Sequence, residues 1–402
     1  MKNFYKKFSE RFIEGLLMIS STITSLTVVL IIFFLFKEGL GVFNKKPLEE
    51  GYAVVINRLN SVGKLNAEQI KNIYDQKINN WSELGGANDS IYLFRMEDIS
   101  NYYTDEQIGE NFEHLPDCLN SIVDSIKGVI AFFPEKYINK SFKGKQLEVD
   151  KVSLKEFFGG EEWFPTSQPV SQLGVKPLIY GTLWVSFGAI LIALPLGLAA
   201  AIYLSEIAKG RVRRIMKPLI ELLAGIPSVV YGFFGLVIIV PFIQQAFNLP
   251  VGETGLAGSI VLGIMALPTI ITISEDAMRN TPRAMKEASL ALGASKWQTI
   301  YKIVIPNSIS GITAAAILGI GRAIGETMAV LMVTGNAAVI PTGILQPMRT
   351  IPATIAAELG EAPDGGLHYK ALFALGCILF IITLLINLIV EFVSTNRKNT
   401  KH

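Results

Sequence analysis

Charge is what this chain has least of. Asp, Glu, Lys and Arg make up 17% of its 402 residues, against roughly 25% in soluble domains, while 50% are hydrophobic. With a mean hydropathy of +0.42, that balance excludes an ordinary cytosolic globule and points to a membrane. Sulfur is as scarce. Cys118 and Cys377 fall in one polar and one apolar region, which excludes a disulfide framework or a thiolate metal site. The three histidines stand far apart and add no metal cluster. No Gly-x(4)-Gly-Lys-Ser/Thr string occurs, so any ATP chemistry must come from another chain. The formal net charge of +2 gives no reason to expect a nucleic-acid partner, and no residue pattern calls for a cofactor.

Long apolar runs are what the chain does have. Six stretches are long enough to cross a bilayer as helices: about Ile13 to Phe36, Leu178 to Leu204, Leu219 to Phe247, Leu256 to Ser274, Ser308 to Thr334 and Ala371 to Val393. The first follows Lys2, Lys6, Lys7 and Arg11 but ends without a small-residue cleavage site, so it reads as a retained anchor. Alternating from a cytoplasmic N-terminus puts every basic cluster on one side: Lys209, Arg211, Arg213, Arg214 and Lys217, then the loop after Ser274, then Arg397, Lys398 and Lys401. Both termini are thus expected in the cytoplasm of a multi-pass membrane protein, with 37–176, 248–255 and 335–370 outside.

Residues 37–176 carry 21 acidic and 16 basic side chains and have the length of a small domain. Val54, Val55, Ile56, Leu65, Ile70, Ile73, Trp81 and Leu84 pattern as a strand followed by a helix. Ile122, Ile126, Val129, Ile130 and Phe132 pattern as a helix running into a buried strand. A small α/β insertion is expected within an otherwise all-α membrane protein.

The most informative segment is the polar loop Glu287-Ala288-Ser289-Leu290-Ala291-Leu292-Gly293-Ala294, with Pro306 beyond it. Thr281 can N-cap a helix that begins at Pro282, Gly293 suits a left-handed C-cap, and Ser295-x-x-Gln298 forms a capping box. Two short helices joined by a tight turn follow. The whole pattern resembles the cytoplasmic Glu-Ala-Ala loop by which permeases of ABC importers dock into an ATPase subunit, and the resemblance assigns Glu287, Ala288 and Gly293 to that coupling.

From residue 157 onward the chain resembles the C-type permease subunit of the phosphate ABC importers. The residues that carry this are Gly181-Thr182-Leu183, Leu194-Pro195-Leu196-Gly197, Tyr203-Leu204-Ser205-Glu206, Gly225-Ile226-Pro227-Ser228-Val229-Val230-Tyr231-Gly232 and Gly321-Arg322-Ala323-Ile324-Gly325-Glu326-Thr327. The resemblance implies a six-helix permease of the MetI-like type in the inner membrane of a prokaryote. It also implies partners: a homologous A-type permease, two ATP-binding subunits, an extracytoplasmic phosphate-binding protein, inorganic phosphate and membrane lipid. The implied division is an anchor at 1–43, an insertion at 44–156 and a permease core at 157–402 with its coupling loop at 275–306. The insertion departs from that pattern. Its Leu65 to Tyr74 and Lys77 to Gly86 resemble part of a phosphate-binding protein, but after Arg95 the expected Ser-Gly-Thr cradle is replaced by Ser100-Asn101-Tyr102, which points to a non-binding docking module or relic.

Arg322 and Glu326 stand four apart in an apolar run, so a continuous helix would put them on one face. Each would cost roughly 2.5 to 3.5 kcal/mol at midbilayer if unpaired, so both must face protein or water. They could be a structural ion pair. Alternatively, the guanidinium could receive phosphate oxygens while the carboxylate accepts the proton that phosphate carries. In the phosphate permeases the matching Arg and Glu are thought to line the anion path, which with Thr327 makes the candidate substrate pathway.

Pro195, Pro227, Pro241 and Pro268 are expected to bend spans, Glu221 to snorkel near a span end and Glu206 to lie at the interface. Two classes of function fit: a non-enzymatic transport subunit that moves phosphate inward, and a membrane sensor that relays phosphate status without transport. The intact loop favours the first, within which sulfate or molybdate is an alternative cargo.

Overall fold

The computed structural model describes residues 2–109 and 111–399, with side-chain surroundings for 12–109 and 111–392. The side chains of Lys2, Lys6, Lys7 and Arg11, and of Arg397, Lys398 and Lys401, therefore lie outside the described residues. Five helices are long and apolar enough to cross a bilayer: Phe12–Asn44, Lys176–Ile207, Ser228–Phe247, Gly255–Arg279 and Leu367–Phe392. The pair Lys296–Asn307 and Ile309–Gly325, bent by 70° between them, brings the number to six when it is counted as one span. The protein is thus an all-α membrane bundle of the expected kind, with a small sheet-containing domain between the first and second spans.

Two expected spans are corrected. The third does not begin at Leu219. An amphipathic helix, Gly210–Ala224, comes first, and Pro227 (φ −59°, ψ 143°) separates it from the crossing helix that starts at Ser228. Four Arg and Lys side chains in that preceding helix would be costly in hydrocarbon, so it stays at the bundle end. The fifth span ends at Gly325. Glu326 is extended (φ −71°, ψ 134°), Thr327 turns (φ −115°, ψ −61°), and a short helix, Met328–Val333, resumes.

The prolines divide the same way. Pro195 and Pro268 lie inside continuous helices, whereas Pro227 starts a span and bends none. Pro241 follows a widened π-turn at Gly235–Ile239, and Pro306 follows another at Ile300–Val304. A ring without an N–H leaves a carbonyl one turn earlier without its usual donor, and widening the turn re-aims the remaining bonds.

The second and fourth spans pack most closely, because small residues let the backbones approach. A Cβ built on Gly188 would lie 2.4 Å from Ser259 Oγ, and Ser259 Oγ donates across to the Val185 carbonyl at 3.2 Å. The first span is largely exposed and leans on the sixth, where Gly39 approaches Cys377 and Ala374.

The insertion is a three-layer α/β unit. Strands Tyr52–Ile56 and Val129–Pro134 pair antiparallel, with Val54 opposite Phe132, and Tyr92–Arg95 joins Val129–Pro134 in parallel. Val54, Ile56 and Ile130 face Ile70, Ile73 and Trp81 on one side; Val55, Ala131 and Phe133 face Leu119, Ile122 and Val123 on the other. Burial on both faces explains the continuous apolar strands. The helix Ala67–Tyr74 opens with a full capping box: Asn66 Oδ1 accepts from Gln69 N at 2.8 Å, and Gln69 Oε1 accepts from Asn66 N at 3.0 Å. The domain meets the bundle through 154–175, where Ser171 N donates to the Pro47 carbonyl at 2.8 Å and Lys71 pairs with Glu162 at 2.8 Å.

Gly181 marks the tightest join between the second span and the loop after the fifth: a Cβ there would sit 2.1 Å from the Arg349 carbonyl oxygen. Gly181→Val should destabilise the purified protein by about 1–3 kcal/mol, read as a lowered unfolding temperature. Gly15→Ala, at a helical site with no neighbour within 4 Å, should not lower it. Equal unfolding temperatures for both variants would refute this packing.

Candidate functional site

The Glu-Ala loop folds as a helix, a turn and a second helix. The first helix is Arg283–Ala291, and its end is a complete Schellman motif: Gly293 at φ +83°, Gly293 N to Leu290 O at 3.0 Å and Ala294 N to Ser289 O at 3.2 Å. The second opens with the expected box, Gln298 N to Ser295 Oγ at 3.2 Å and Ser295 N to Gln298 Oε1 at 2.8 Å. Thr281 departs from expectation. It is buried, and its hydroxyl meets Ser308 Oγ at 3.1 Å in place of capping a helix, which ties the root of the loop to the bend between the two halves of the fifth crossing.

The loop presents rather than buries its side chains. Glu287, Ala288 and Gly293 are all exposed, and around them stand Met285, Leu290, Leu292, Trp297 and Tyr301, with Leu292 90% exposed. An apolar patch this rich in large side chains marks an interaction surface. Lys286 pairs with Glu206 of the second span at 2.6 Å with both side chains largely buried, so the loop is held to the bundle by a charge. Glu206 therefore anchors the loop rather than merely facing the interface. Nothing in the spacing of 80 residues could have disclosed the pair.

A second buried network lies at the same end. Glu275, 1% exposed on the fourth span, lies 2.5 Å from Arg213 Nη2 and 2.8 Å from Lys217 Nζ, and Lys217 also reaches Asp276 at 2.6 Å. Breaking such a pair leaves a buried charge uncompensated, at about 3–5 kcal/mol. Glu221, expected to snorkel from a span, is exposed on the amphipathic helix instead. At the opposite end of the bundle, Glu358 gathers Arg349 Nη1 at 2.8 Å, His368 Nε2 at 2.8 Å and the Trp163 indole N–H at 3.0 Å. Burial pushes the Glu358 carboxyl up, but the His368 and Trp163 hydrogen bonds and the Arg349 charge outweigh it and hold the group below the usual carboxylate range.

The candidate pathway residues are placed differently from the expectation. Because the helix ends at Gly325, Arg322 and Glu326 do not share a helix face, and among the described residues no ion pair joins them. Arg322 is half-buried in the last turn, where a cation complements the helix dipole, and Nη1 approaches Thr269 Oγ1 near the middle of the fourth span at 3.4 Å. Thr327 lies in the break beside a cleft of about 510 Å³ lined by Gly325, Thr327, Pro352, Ile355 and Leu379. Glycine and a polar threonine inside an apolar run were the available signal for this interruption.

A polytopic bundle with one broken crossing helix and an exposed helix-turn-helix between its fourth and fifth crossings defines an integral-membrane transport subunit. The family described as binding-protein-dependent transport system inner membrane component matches residues 193–398, and the chain belongs to it. The chain is 42% identical over 251 residues to the probable ABC transporter permease protein YqgH of Bacillus subtilis, covering 62% of this chain and 81% of that protein. It is 39% identical over 255 residues to the phosphate transport system permease protein PstC of Mesorhizobium japonicum, covering 59% and 77%. Among solved structures, an inward-facing MetNI methionine ABC transporter aligns with a TM-score of 0.44 at 20% identity, covering 55% of this chain and 94% of that one.

The Lys286–Glu206 pair predicts a reciprocal effect. Lys286→Glu or Glu206→Lys alone should speed hydrogen exchange across 283–291, and the two changes together should restore slow exchange. Unaltered exchange in both single variants would show that the pair does not hold the loop.

Proposed function

We propose that this chain is a transmembrane permease subunit of an ATP-driven phosphate importer, non-catalytic itself and coupled to separate ATPase chains. The observation that carries the coupling half of this reading is the loop at 283–307: an exposed apolar patch on two capped helices, held to the second span by Lys286 and rooted on the bent fifth crossing through Thr281. Such a unit can pass a push from a docked partner to the bundle without bending. Glu287, Ala288 and Gly293 would meet the ATPase. The cargo half rests on likeness to phosphate permeases and on the charge chemistry of the fifth crossing.

The partners that fit are a homologous A-type permease, two ATP-binding subunits, an extracytoplasmic phosphate-binding protein and surrounding lipid. The loop then faces the cytoplasm, both termini lie there too, and the insertion stands outside the inner membrane of a prokaryote. Division into an anchor at 1–43, an insertion at 44–156 and a permease core at 157–402 with its coupling loop at 275–306 accords with this arrangement.

Arg322, Glu326 and Thr327 act as separate points along the anion path. An interrupted helix inside a bundle is where transport sites form, since its unwound backbone must line protein or water. Among the described residues Arg322 forms no ion pair, and its hydrogen bond to Thr269 is long, which leaves donors available to phosphate oxygens. In the reconstituted complex Arg322→Gln should lower uptake of labelled phosphate roughly tenfold or more, the scale of one charge-assisted hydrogen bond. Full uptake by Arg322→Gln would remove the guanidinium from the pathway.

The insertion serves docking or steadies the outer gate rather than holding ligand. Arg95 packs over the Tyr74 ring at 5.6 Å, and its backbone N–H donates to Asp98 at 2.8 Å, so the following residues close into a tight turn where a cradle would have to open. The isolated segment 48–152 should give no heat of phosphate binding in calorimetry. Micromolar binding there would favour the sensor reading.

A further inference from the structure

The helix Gly210–Ala224 is divided lengthwise into three sectors. At 100° per residue, Arg213, Lys217, Ile220 and Ala224 fall together, and this sector faces the fourth span through Glu275 and Asp276. Val212, Ile215, Met216, Leu219, Leu222 and Leu223 form a second sector, exposed by 39 to 69%. Arg211, Arg214 and Glu221 form the third; all are exposed, and neither arginine makes an ion pair among the described residues.

We propose that this helix lies in the plane of the membrane surface and docks on anionic lipid headgroups, with Arg211 and Arg214 as the headgroup contacts. Its place in the chain requires the depth: it joins the end of the second span, at the widened turn Tyr203–Ile207, to the start of the third at Ser228. Val229, Val230 and Phe233 at the start of the third span are likewise exposed apolar side chains. The charges select the lipid. Of the four cations on the helix, Arg213 and Lys217 are paired with Glu275 and Asp276, while Arg211 and Arg214 lie on the other side of the apolar sector and form no ion pair among the described residues. A helix with an apolar face bordered by arginines is the pattern that binds an interface, and two arginines at an anionic surface give a preference of the order of tenfold over a zwitterionic one. Because Glu275 lies one turn before Arg279, the helix that grips the headgroups also holds the root of the 283–307 loop.

This inference depends on the membrane reading but not on phosphate as the cargo, so the two can fail separately. The test uses the full chain in nanodiscs, with Ile215→Cys carrying a bimane label; the native thiols Cys118 and Cys377 are buried. Acyl-chain-brominated lipid should quench the label. Brominated phosphatidylglycerol should quench about tenfold more effectively per molecule than brominated phosphatidylcholine at low salt, and the preference should fade at molar salt. Arg211→Gln with Arg214→Gln should bring that ratio close to one while Arg211→Lys with Arg214→Lys keeps it. No quenching by either lipid would show that the face lies outside the acyl-chain region, and equal quenching by both in the unaltered helix would show that no headgroup is selected. Either result overturns the proposal.

Discussion

In hydrocarbon every backbone N–H and C=O must find its partner within the protein, and the rest of this structure follows from that requirement. It makes each crossing a helix and confines irregular backbone to places where neighbouring protein covers it. The interruption at Glu326 and Thr327 instead borders a cleft whose other wall includes Pro352 and Ile355 of the helix Ile351–Glu358. Pro241 and Pro306 are accommodated by widened turns that redistribute the bonds their rings cannot make. The third span starts at Ser228 rather than Leu219, because the backbone turns at Pro227 and ends the preceding helix Gly210–Ala224.

Charge is scarce, and where it is buried it joins elements distant in sequence. Glu275 holds the interfacial helix to the fourth span, Lys286 holds the protruding loop to the second, and Glu358 gathers the loop after the fifth crossing, the start of the sixth and the segment leading from the insertion. These joints sit at the two ends of the bundle, where partial hydration lowers the cost of ionisation, and the bundle between them is joined by small-residue contacts such as Gly188 on Ser259. Arg322 differs from these joints. It is half-buried, its Nη1 approaches Thr269 Oγ1 at 3.4 Å, and it forms no ion pair among the described residues.

Much of this was legible in the residues. The six apolar runs, the strands and helices of the insertion, the Gly293 turn and the Ser295 capping box all depend on interactions within a few residues, and local spacing records those. The C-terminal limit of the interfacial helix was legible too, in Gly225-Ile226-Pro227, although the apolar run around Leu219 and Leu222 hid it. Thr281 shows where local reading stops: it has the right side chain and position for a cap, but its hydroxyl is drawn to Ser308 by the folding back of the fifth crossing.

By itself the sequence determined that the protein is a membrane bundle with a soluble insertion and a helix-turn-helix of the permease kind, because hydrophobic length, capping and turn chemistry act along the chain. Only the tertiary structure decided which charges meet. Arg322 and Glu326, four residues apart, are separated by the end of the helix at Gly325, while Lys286 and Glu206, 80 residues apart, are brought to 2.6 Å by the folding of the bundle. Periodicity assumes an unbroken helix, and electrostatic partnership depends on distance in space, so neither outcome could be read from spacing alone.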